Sequence, residues 1–109
     1  MQAFPNDWDL ITKINYLQRK IILNSILYYE FDMSRLSDHF YDDMCKQLVR
    51  YQRIYSRRGD IFKDTKYGYV YYDFDGSTGF HLFGRLKPED KEYLTLLTTL
   101  YVNGEKGRI

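Results

Sequence analysis

Apolar residues recur at helical spacing in three stretches of this chain and lose that spacing between the second stretch and the third. From Leu10 through Ile14, Leu17 and Ile21 to Tyr28 they fall at intervals of three, four or seven, while Lys13, Arg19 and Lys20 solvate the opposite side. The pattern predicts a long first helix over about residues 7–30, capped by Asn6 with Asp9 three residues later. Because Tyr28 continues the row of Ile14 and Ile21, helical phase alone makes it a core residue.

Phe31 to Leu36 breaks the pattern. Ser37 is then a good N-cap, Leu36 and Tyr41 stand at the positions of a hydrophobic staple, and Asp38 in the first turn suits the helix dipole. A second helix to about residue 55 carries Phe40, Met44, Leu48, Tyr51 and Tyr55 as one stripe, and the short connection predicts an antiparallel hairpin. Ser56 to Thr65 is polar and contains Gly59, so it reads as a loop. Tyr67 to Phe74 is rich in Tyr and Val, residues that suit a pleated surface, and is followed by a turn-forming run before Phe80 to Phe83; residues 66–83 are expected to form a β hairpin or an extended segment with a structured loop. Pro88, the acids Glu89 and Asp90, and the set Tyr93, Leu94, Leu97, Leu100 and Tyr101 mark a third helix over 88–102, ended by Asn103 and Gly104 before a frayed basic tail. The expected class is mainly α with a small β hairpin, in a single domain spanning 1–109.

Composition narrows the chemistry. Hydrophobic residues are 44% of the 109, enough for one core, and 16 Lys and Arg balance 15 Asp and Glu, so no whole-molecule field attracts nucleic acid or anionic lipid. With one cysteine, no basic leader and no apolar span, the expectation is a cytoplasmic protein without disulfides or membrane segments.

The sharpest local motif is Asp73-Phe-Asp75-Gly76-Ser77-Thr78-Gly79 after the tyrosine-rich stretch. It resembles the first motif of haloacid-dehalogenase-like phosphatases, but residues 80–109 are too few to supply the later basic and acidic motifs of a metal-assisted site. It also departs from the Lys-x-Asp-Gly motif of nucleotidyltransferases, because Asp73 stands where the adenylated lysine is needed. The expected role is structural: an Asx-type turn at Asp75, positive φ at Gly76 and Gly79, and a hydroxyl cap from Ser77 or Thr78. His39 and His81 lack partners at metal-ligand spacing, so no metal site is expected, and Cys45 reads as a packing thiol. Arg50, Arg53, Arg57 and Arg58 form a basic cluster at the end of the second helix; they resemble part of a single-strand-binding surface, but the stronger reading is that they complement the negative end of the helix dipole.

Tyr28, Tyr29 and Asp32, followed by Ser37-Asp38-His-Phe-Tyr41-Asp42 and Leu48, resemble the N-terminal Ia domain of NAD-dependent DNA ligases over residues 14–55. With the glycine turn, the likeness to short phage and prophage ligase-related proteins extends to about residue 86. The resemblance implies contacts from Tyr28, Tyr29, Asp32, Tyr41 and Asp42 to the nicotinamide mononucleotide half of NAD, with Tyr29 standing where many ligases have His. The adenylation domain has no counterpart, so the expected protein is no enzyme and needs no cofactor. It implies a phage-type accessory that binds a host protein in the bacterial cytoplasm, such as an inhibitor of a CRISPR nuclease or another defence enzyme. Binding of nicotinamide mononucleotide or NAD is the alternative, and binding of nucleic acid ranks third.

Overall fold

The computed structural model describes residues 3–33, 38–76 and 81–107, the side chains of 38 and 105–107 excepted. The protein is mainly α: α1 (Leu10–Glu30), α2 (Asp38–Tyr55), a single turn α3 (Ile61–Asp64) and α4 (Pro88–Gly107), with 3-10 turns at Gly68–Val70 and Phe83–Arg85. The first helix begins later than its apolar pattern suggested. Asp9, rather than Asn6, is the N-cap: its carboxylate accepts from Thr12 N at 3.0 Å and Thr12 Oγ1 at 2.6 Å. The preceding residues turn back, with Trp8 N donating to Pro5 O at 3.2 Å, and Phe4 and Trp8 pack on Tyr16.

The helical hairpin is antiparallel. Gln18 Nε2 donates to Gln52 Oε1 at 3.0 Å, while seven residues further along α1 the Ser25 hydroxyl meets Tyr41 Oη at 2.7 Å, nearer the start of α2. Met44 and Leu48 from α2 and Ile14, Leu17, Ile21, Ile22 and Ile26 from α1 are buried in one core. The expected stripe of α2 is therefore found, but its Ser37 cap and Leu36 staple, with the Asp38 side chain, lie outside the described residues. On another side of α1 lies α4, whose inward residues are Leu94, Thr98 and Val102. Tyr93, Leu100 and Tyr101, expected inside, are exposed. Thr98 passes as a core residue because its hydroxyl donates to Leu94 O at 2.8 Å, leaving a methyl to pack. This helix also runs through Asn103 and Gly104, which do not end it.

The stretch expected as a hairpin contains no strand among the described residues. Its tyrosines fasten it instead to the helices around it. Tyr71 is buried and its hydroxyl donates to Gln18 O of α1 at 2.7 Å; Tyr69 Oη donates to Asp90 Oδ2 of α4 at 2.5 Å and accepts from Lys87 N at 2.9 Å. These links, with tight turns closed by Val70 N to Tyr67 O and Tyr71 N to Gly68 O, replace a ladder. Within the expected 56–65 loop, Asp60 caps α3 by accepting from Phe62 N at 2.9 Å, and Ile61 enters the core.

Gly68 is fixed by space. A Cβ there would overlap the Ile61 carbonyl oxygen and Thr65 Oγ1. Gly68→Ala is accordingly expected to lower stability by about 1–3 kcal/mol, the usual cost of overpacking, measured as a drop in the urea midpoint with little change in slope.

Candidate functional site

Three groups of residues were singled out by sequence, and the structure treats them differently. Tyr28, Tyr29 and Asp32 sit at the C-terminal end of α1, with Tyr41 and Asp42 in the opening turns of the antiparallel α2, so the five share one end of the hairpin. Tyr28 is 54% exposed and does not pack in the core. Its helical phase still falls between the buried Leu17 and Ile21, so its exposure comes from its place along the helix, in the last turn of α1, and not from its phase. Tyr28 and the exposed Tyr29 meet edge to face with ring centroids 4.8 Å apart. Asp32 adopts φ +52°, and the turn it makes lets Met33 N donate to Leu27 O at 2.9 Å. Tyr41 is half-buried, and loss of water pushes its phenol well above the usual range although Ser25 opposes the shift. The two rings share this end of the hairpin with the exposed Asp32 and Asp42, and rings and carboxylates are the groups that attract a planar cation.

The described start of the glycine run, Asp73 to Gly76, is fastened to the body of the protein. Arg85 grips Asp73 through both carboxylate oxygens, at 2.6 and 2.9 Å, donates to Val70 O at 3.1 Å and lies 4.4 Å from the Tyr72 ring centroid. That guanidinium holds the Asp73 carboxyl below its ordinary value, so this acid is spoken for. Gly76 has the expected positive φ, +87°, and is buried against α2, where a Cβ would come 3.2 Å from Val49 Cγ2. Asp75 is exposed; Ser77, Thr78 and Gly79 lie outside the described residues.

Arg50, Arg53, Arg57 and Arg58 are all exposed at the C-terminal end of α2. The neighbouring groove of about 530 Å³ is lined by Arg53 together with Asp60 and Asp75, so its charge is mixed. Arg58 N closes the helix end onto Tyr55 O at 2.9 Å. Cys45 is buried, and desolvation, with Asp42 adding to it, pushes its thiol up to about 12. Its place is in the core, as its sequence position suggested. His39 is exposed on α2, 3.4 Å from Asp43, and among the described residues no group of three or more His, Cys, Asp or Glu side chains could hold a metal ion.

Sequence reasoning missed the face between α1 and α4. A cavity of about 550 Å³ there is lined by Leu23, Leu27 and Leu97 with Arg19, Lys20, Tyr93 and Tyr101. Arg19 and Lys20, expected only to solvate a helix, border this groove. Next to it on α4, Tyr93, Leu96 and Leu100 are 47%, 54% and 59% exposed. The available signal was that α4 has more large apolar residues than one buried stripe can use.

No helix among the described residues is long and apolar enough to cross a membrane. Comparison with protein-family models, curated proteins and solved structures finds no match, so the ligase Ia likeness rests on the residues quoted for it.

Asp73 titrates as a fastening. Its depressed folded-state value means that its contribution is present at neutral pH and is lost as pH falls through the carboxylate range. Asp73→Asn should therefore be less stable than wild type near neutrality, with the gap closing in acid, read from urea midpoints across that range.

Proposed function

We propose that this protein is a non-catalytic accessory that works by docking on a protein partner through the outer face of α4 and the adjoining α1 groove. The observation that carries the reading is the exposed row Tyr93, Leu96 and Leu100 beside an apolar cleft, more large apolar surface than one helix of a small monomer ordinarily leaves to water. Arg19 and Lys20 at the cleft favour a partner whose apolar anchors are flanked by carboxylates. Tyrosine and arginine at the border are the residue types that anchor interfaces. The phage and prophage likeness adds the setting: a small protein in the bacterial cytoplasm that occupies a host defence enzyme, a CRISPR nuclease among the candidates.

Affinity capture from bacterial lysate tests this with wild type and Leu96→Glu/Leu100→Glu, both matched for helicity by circular dichroism. The wild type should retain one stoichiometric protein, and the double variant should weaken its capture by roughly tenfold or more, the effect of losing hot-spot anchors. Capture of no stoichiometric partner, or capture indifferent to the double variant, rules the reading out.

The exposed, paired Tyr28 and Tyr29 rings at the end of the hairpin that also carries Asp32 and Asp42 favour a second reading, binding of nicotinamide mononucleotide or NAD there. Calorimetry should then show heat with nicotinamide mononucleotide that Tyr29→Ala diminishes. Silence at millimolar ligand removes this reading.

A further inference from the structure

A separate pocket of about 440 Å³ opens where the start of α1 meets Lys66 and the first turns of α4. Four rings, those of Trp8, Tyr16, Tyr67 and Tyr93, and two cations, Arg19 and Lys66, contribute to its lining, which includes no carboxylate. The site is held in register by Asn15, whose Oδ1 accepts from Lys66 N at 3.1 Å and so ties that segment to α1. Lys66 Nζ lies 5.6 Å from the Tyr67 ring centroid and 5.3 Å from that of Tyr93, and neither Lys66 nor Arg19 forms an ion pair with a described residue. In a chain of net charge +1, two such cations at a carboxylate-free, ring-lined pocket are a local anion preference.

An independent observation points the same way. Tyr67 is only 3% exposed, yet its hydroxyl has no hydrogen-bond partner among the described residues. A buried hydroxyl left unpaired is costly, and nearly all such groups find a partner. Tyr67 lines the pocket but its hydroxyl is closed to solvent, so an occupant with an acceptor atom supplies what the fold withholds once the ring shifts toward it.

We propose that this pocket binds a nucleoside phosphate, with the phosphate near Arg19 and Lys66, the base against the indole of Trp8, and an acceptor atom of the ligand on the Tyr67 hydroxyl. The volume lies in the range of small-molecule sites. An acidic peptide would use the cations but leave most of the ring surface unexplained, whereas a base has a π face that stacks on it. The nucleotide comes either free or as one unit of a single strand.

Trp8 is the sole tryptophan and reports directly on the site. Its emission should be quenched saturably by thymidine monophosphate, and Arg19→Ala and Lys66→Ala should each weaken that binding by roughly tenfold, while Lys66→Arg retains most of it. Tyr67→Phe should bind more weakly without losing stability, which separates a ligand contact from a packing role. A short oligothymidylate binding at least about tenfold tighter than the monophosphate, with steep salt dependence, assigns the strand as the source; equal affinity assigns the free nucleotide. The proposal is overturned by an absence of quenching with both nucleotides at millimolar concentration. It is equally overturned if inorganic phosphate or oligoglutamate competes as well as the monophosphate, or if affinity ignores both cation variants. Because Leu96 and Leu100 are not in this pocket, their double variant should leave the quenching unchanged, whether or not a protein partner docks on α4.

Discussion

A helix buried at Ile14, Leu17, Gln18, Ile21, Ile22, Ser25 and Ile26 hides an arc too wide for one neighbour to cover, and the architecture follows from that constraint. Helix α2 covers one side and α4 another, which obliges the chain to cross from the end of α2 to the start of α4 over the body of the molecule. The crossing segment must satisfy its backbone without a sheet. It does so with one-turn helices, a glycine pressed against the Ile61 carbonyl, and tyrosine hydroxyls that reach α1 and α4.

This division explains what was legible in the sequence. The three long helices announced themselves because each repeats apolar residues at helical spacing, a property of local sequence. The tyrosine-rich stretch was misread because its composition suits a strand while each hydroxyl answers to a residue far away: Tyr71 to Gln18, Tyr69 to Asp90. Tertiary contacts outweigh β propensity there. Gly76 was readable, since a turn that needs positive φ asks for glycine. Thr98 was not, because a hydroxyl that bonds its own helix leaves no mark in a hydropathy pattern.

The same reasoning applies to the surface. The five residues named from the family likeness lie at one end of the hairpin, because antiparallel packing sets the end of α1 beside the start of α2. The Trp8 pocket, by contrast, draws on residues 8, 16, 19, 66, 67 and 93, and no local motif can register such a meeting. Arg19 illustrates the difficulty: read along its helix it is a solvating charge, but read across to α4 it stands at two cavities.

The links from Tyr41 to the Ser25 hydroxyl and from Tyr71 to the Gln18 carbonyl involve no carboxylate, so acid leaves both untouched. Burial raises both phenols above their free value, which means that the unfolded chain gives up these protons first. Stability from them is complete below the ordinary tyrosine range and drains away as pH climbs through and beyond it. Base therefore loosens two seams on α1, the one to α2 and the one to the crossing segment, whereas acid loosens the Asp73–Arg85 clasp.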